Sequence, residues 1–198
     1  MNIKALSIGF LMLAGFSAFA QETEQKEEPV KKYGFKSAIA TISTNMMGQK
    51  IESTAYIDEY GALECQKTKM SVPGMGDIET ATIGKDGKAW VVNYTMKQIQ
   101  ETSVEEGSQP NFLNLTDEMK EKFKIEEAGK ETLLDRECTK YTMEVEAQGM
   151  KAKVTSWVYK GLALKSETEL GGVKITAEVT DLQEDAMILP QIFDVPKF

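Results

Sequence analysis

The sequence predicts an α+β protein: a strongly curved antiparallel sheet, a half-open barrel, with one short helix against its concave face. Three observations predict it. Several runs alternate apolar and polar residues with period two. Turn dipeptides rich in glycine separate those runs at hairpin distance. A single short segment switches to four-residue apolar spacing, the mark of a helix.

The elements follow in chain order. Met1 to Ala20 places Lys4 ahead of the apolar run Ile8 to Ala14 and ends in Ala18-Phe19-Ala20. This is the layout of a signal peptide, and the apolar run is too short to span a bilayer. Cleavage is expected after Ala20, where no cysteine is available for a lipid anchor. Residues 21–34 read as a polar lead-in and 35–198 as a single domain. A first strand near Phe35 to Ser43 turns at Asn45-Met46-Met47-Gly48 into a second near Ile51 to Tyr60. Runs at Ile78 to Ile83 and Lys88 to Ile99 meet at Asp86-Gly87, and in the second of them Trp90, Val92, Tyr94 and Met96 take alternate positions.

The helix comes next. Leu115, Met119 and Phe123 lie four apart, Thr116 serves as N-cap, and Asp117 and Glu118 precede Lys120, Lys122 and Lys124, an order that suits the helix dipole. Beyond it, Tyr141, Met143 and Val145 alternate within Lys140 to Ala147, which Gln148-Gly149 joins to Ala152 to Tyr159. Gly171-Gly172, a dipeptide suited to φ > 0, joins Leu162 to Leu170 with Val173 to Asp181. The result is four antiparallel hairpins, two on each side of the helix.

Composition narrows the function. The 198 residues carry 23 Lys+Arg against 31 Asp+Glu, a formal charge of −8. That acidity argues against a nucleic-acid partner, which requires a basic surface. There is no histidine, which excludes a Ser-His-Asp triad, a Cys-His pair and a His-ligated metal. No S-x-x-K sequence nominates a nucleophile and base, and Gly74-Met75-Gly76 lacks the rest of a phosphate loop. No cofactor or metal site is indicated, and no later apolar run reaches the length of a membrane span. A minor alternative is a Met-rich copper binder built on Met46, Met47, Met70 and Met75, because thioethers suit Cu(I).

Particular stretches resemble a known family. Asp86-Gly87-Lys88-Ala89-Trp90, followed by Asn93-Tyr94 and Lys97-Gln98, is similar to a hairpin of the bacterial periplasmic outer-membrane lipoprotein carriers. Asp135 to Tyr141, Trp157 to Lys165 and Phe193-Asp194-Val195-Pro196 resemble secreted LolA-like domains of unknown function. The resemblance implies a LolA/LolB-like half-open barrel enclosing an apolar cavity that takes up lipoprotein acyl chains. The carriers' lid is locked by an arginine near the start of the sheet; here the one arginine is Arg136, in the second half.

The expected function is therefore an exported, non-enzymatic binding protein of the bacterial envelope, periplasmic or secreted. It would hold a lipid, acyl chain or other hydrophobic ligand in the concave cavity, around Trp90, Val92, Tyr94, Met96, Met119, Phe123, Met143 and Trp157. The alternative is an envelope interaction module, with a protein partner, whose core is closed and holds no ligand. Cys65 and Cys138 either form a disulfide, as export favours, or are buried separately on different strands.

Overall fold

The computed structural model describes residues 30–72, 74, 76–102, 109–147 and 150–198. The signal-peptide segment and the Gln148-Gly149 turn lie outside these residues. The strands are β1 (Ala38–Met46), β2 (Gln49–Asp58), β3 (Leu63–Val72), β4 (Gly76–Lys85), β5 (Lys88–Asn93), β6 (Gln98–Thr102), β7 (Glu126–Leu133), β8 (Arg136–Ala147), β9 (Met150–Tyr159), β10 (Leu162–Leu170) and β11 (Val173–Glu184), with one α-helix, α1 (Asp117–Phe123).

They form one 11-stranded sheet in the order β6-β5-β4-β3-β2-β1-β11-β10-β9-β8-β7. Two meanders of consecutive hairpins, β1 to β6 and β7 to β11, are thus joined by pairing of the first strand with the last. The edges, β6 and β7, are unpaired with each other, so the barrel is open. It is also strongly curled. Arg136, on β8, donates from Nη2 to the carbonyl of Leu182 on β11 at 3.1 Å, although two strands intervene and a flat sheet would put those strands about 14 Å apart.

The expected architecture is therefore present, with more strands than the alternation indicates. The β3 sequence LECQKTKMSV hides its pattern because buried Glu64, Gln66 and Thr68 are polar. The β7 strand is an edge exposed along nearly its whole length, so no apolar period marks it; its charged residues are what a protected edge requires. The expected run Lys88 to Ile99 is broken. Asn93 Oδ1 accepts from the Met96 amide at 2.8 Å and Lys97 adopts φ 52°, which turns the chain at 94–97 into β6.

The helix forms where its sequence places it. Thr116 Oγ1 accepts from the Met119 amide at 3.2 Å, and Lys124 closes the other end in the left-handed conformation. Phe123 and Ile125 pack with Phe112 and Leu115 against Tyr141, Met143, Val145 and Val154. The last residues of the polar lead-in are anchored too. Tyr33 and Phe35 stack with ring centroids 5.4 Å apart and join the central core. The amides of Lys32 and Gly34 donate to the carbonyls of Tyr60 and Lys160, both at 2.9 Å. Among the described residues no helix is long and apolar enough to cross a membrane.

Candidate functional site

Residues directly opposite one another in a ladder share a face, so the register assigns every strand position a side. Met143 pairs with Val154, Val154 with Thr168, Thr168 with Ile175 and Ile175 with Met46. Two steps of two along β1 lead to Ile42, which pairs with Ser53, and the row continues through Thr68 and Thr80 to Asn93. This is the inner face, on which α1 packs.

The eight residues expected to line one cavity do not share that face. Phe123 and Met143 meet on the inner side, with Met119 half-buried on α1. Trp90 and Val92 alternate with Asn93 and stand on the outer side. There the C-terminal segment covers them with Ile188, Ile192, Phe193 and Val195; Tyr94, from the turn, joins the same cluster. Met96 is 51% exposed. Trp157 pairs with Lys140 and Lys165 on the outer side, its ring between their ammonium groups at 4.8 and 4.6 Å, and Nε1 donates to Glu131 at 2.6 Å. Alternation within one strand cannot relate that strand's faces to those of a distant one, because unseen strands and the bulge between Thr41 and Ile42 intervene.

The inner face has a different composition from the one expected. Buried on it are Ala38, Ala40, Ala55, Ala152, Ser53, Ser156 and Ser166, with Thr44 and Thr168. They share the face with buried Ile51, Ile57, Val154, Val179 and Leu182, and Ala38, Ala40 and Ala55 pack in one cluster with Tyr33 and Phe35. The register turns Lys50, Lys67, Lys69, Lys151, Lys153, Lys165 and Lys174 outward, while at one end of the face Glu184, opposite Ala38, is paired with Arg136 and Lys160. Gln66 Nε2 donates to Ser53 Oγ at 2.9 Å. Gln66 Oε1 and the hydroxyls of Thr68, Ser156, Ser166 and Thr168 are buried with no hydrogen-bond partner among the described residues, each such group costing about 1–3 kcal/mol if left so. The signal for these positions was in Lys165-Ser166-Glu167-Thr168-Glu169, where charges hold one parity and hydroxyls the other.

Glu64, 3% exposed, ends this face. It accepts from Tyr33 Oη at 2.6 Å and Lys32 Nζ at 3.1 Å. Burial raises its pKa, and Lys32 and the Tyr33 hydroxyl act against that rise. Burial, followed by the Glu64 charge, raises Tyr33 as well.

An open groove of about 350 Å³ lies at the far end of β8 to β10, where Met143 and Val154 line it beside Thr142, Glu144, Lys153, Thr155, Glu167 and Glu169. It is more polar than apolar. Hydrogen bonding from Lys124 lowers the Glu144 pKa, and Lys174 and Lys165 do the same for Glu167. Among the described residues no group of three or more His, Cys, Asp and Glu side chains is placed to hold a metal, and Met47 is exposed on a turn. The disulfide is not present. Cys65 and Cys138 are both buried free thiols, in separate clusters, Cys65 beneath Phe193 and Cys138 in the central core.

No family model and no curated protein matches the sequence. The fold is similar to that of an uncharacterized conserved protein from Thermus thermophilus, 14% identical, over 83% of this chain and 88% of that one, with a TM-score of 0.54. At that identity the likeness concerns the fold alone. Lower scores attach to MucB in complex with MucA(peri), 14% identical over 81% of this chain and 53% of that one at 0.48. A LolA superfamily protein from Nitrosomonas europaea, 11% identical over 82% and 92%, scores 0.37. Likenesses of that size carry no argument about the site.

Proposed function

We propose that the protein is an exported, non-enzymatic binding protein of the bacterial envelope that holds a lipid, acyl chain or other hydrophobic ligand against the inner face of its open sheet. The observation that carries this reading is a curved sheet whose edges do not close, with five buried polar atoms on its inner face that no described residue partners. The resemblance of Asp86 to Trp90 and of Trp157 to Lys165 to lipoprotein-carrier sequences points the same way. The ligand site is therefore assigned to β1 to β3 and β9 to β11, not to Trp90 or Trp157.

The sealed outer cluster under Phe193 favours the second reading, a closed module that meets an envelope partner. Native mass spectrometry of protein purified from its own envelope separates the two. The expected spectrum shows a chain beginning at Gln21 with a releasable adduct of lipid mass, and the purified protein takes up the uncharged probe N-phenylnaphthylamine. A bare chain that takes up no probe would leave the closed module as the answer.

A further inference from the structure

The two edges of the open sheet are built differently. At one edge β7 carries Glu126, Glu127, Lys130 and Glu131, and its pairing slips between Glu127 and Lys130, where Gly129 takes φ +102°. Charge and a bulge keep an edge strand from pairing with another chain. At the other edge β6 reads Gln98-Ile99-Gln100-Glu101-Thr102 and pairs with β5 in unbroken register. It has no lysine, proline or glycine, and its one charge, Glu101, is engaged by Lys88 at 3.1 Å. Among the described residues no strand pairs with its far side. Exposed apolar side chains gather at the same edge: Val91 (43%), Met96 (51%) and Ile99 (39%).

We infer that β6 is an interaction surface for a second copy of this chain, pairing antiparallel with its own counterpart about a two-fold axis at Ile99. The free backbone N–H and C=O groups of the edge supply the ladder. Side chains choose the partner, because the sequence around β6 is complementary to itself when reversed. An axis at Ile99 sets Lys97 opposite Glu101 of the second copy, Gln98 opposite Gln100 and Ile99 opposite Ile99. Each of these pairs shares a face, since its two positions are an even number of residues apart. Opposed side chains in such a ladder stand about 5 Å apart, where opposite charges and apolar pairs both stabilise, and the two-fold axis makes the charge contact twice. Lys97 lies in the turn just before the strand, at φ 52°, and its flexible four-carbon stem carries the ammonium to the carboxylate. Other registers lose the match: an axis at Gln100 faces Ile99 with Glu101, and one at Gln98 faces it with Lys97. The Lys88 pair is no obstacle, because both its groups are more than half exposed and such pairs contribute little.

Sedimentation velocity of the mature chain, from about 1 µM to about 1 mM, tests this. The wild type is expected to form a dimer whose population grows with concentration. Lys97→Glu and Glu101→Lys each set like charges opposite one another and are expected to weaken the dimer at least about tenfold. Both positions are exposed, so melting temperature should not change. Mixing the two variants puts opposite charges back across both contacts, and the mixture is expected to dimerise as the wild type does. A dimer through any other surface would not show that recovery. Ile99→Lys, which sets two ammonium groups at the axis, repeats the comparison with the wild type should either variant misfold. A wild type that stays monomeric throughout, a dimer that these substitutions leave intact, or a mixture that stays monomeric would overturn the inference.

Discussion

Single residues decide whether the chain can close on itself, and Gly161 shows how. It has φ +88°, and a Cβ there would collide with the Lys32 carbonyl oxygen, where the N-terminal segment runs past the β9–β10 turn. Gly172 has nearly the same conformation, φ +83°, with nothing within 4 Å. Gly172→Ala should therefore cost only the strain of a left-handed L-residue, about 1–2 kcal/mol. Gly161→Ala must also displace backbone and should lose clearly more. Urea melts of the two variants check this; equal losses would mean that the N-terminal segment does not sit against the turn. The need for φ > 0 at Gly171-Gly172 is legible from the dipeptide itself. The crowding at Gly161 is not, because it comes from Lys32, far away in the chain.

At the scale of elements, two terminal segments act as straps on opposite sides of the sheet. The C-terminal one lays Phe193 over Cys65, Ile83 and Val92. Phe193→Ala should cost about 3–5 kcal/mol and expose Cys65, whose thiol burial pushes up to about 11. Alkylation of the native protein, slow in the wild type, should then accelerate at Cys65 and not at Cys138. Unchanged labelling would show that the strap does not shield β3. The N-terminal strap ends on Glu64, and its pKa is raised by burial. Stability from the neutral carboxyl is thus complete below the ordinary carboxylate range and is lost as pH rises through the raised value. Glu64→Gln, which fixes a neutral side chain, should flatten the stability curve as pH rises above the ordinary carboxylate range, read by urea melts; an unchanged slope would place the titration elsewhere. Hairpins with glycine turns and the Thr116-capped helix were legible because their signals are local. The β3 strand was not, since its inner positions are Glu64, Gln66 and Thr68, and the straps were not, since nothing in a short apolar stretch tells which face it will cover.

On the scale of the whole molecule, the lysines of β2, β3 and β9 to β11 face outward, and small and hydroxyl-bearing residues face inward among aliphatic ones. The curved open sheet could be anticipated from period-two runs, but the candidate site could not. Trp90, Val92 and Met143 each alternate correctly within their own strands, and only the full register of the sheet shows that Trp90 and Val92 point away from Met143. That register has a further consequence. Nine of the ten ladders join strands that are neighbours in sequence, and the tenth, β1 with β11, joins Ala38–Met46 to residues 175–184. Hairpins close short loops at small entropic cost, whereas this ladder must close almost the entire described chain. In kinetic terms the molecule is two low-contact-order halves meeting along one late seam. Thr44 and Ala177 face each other across that seam on the inner face, so the middle of that face is the last part of the sheet to form during folding and the first to part when the halves separate.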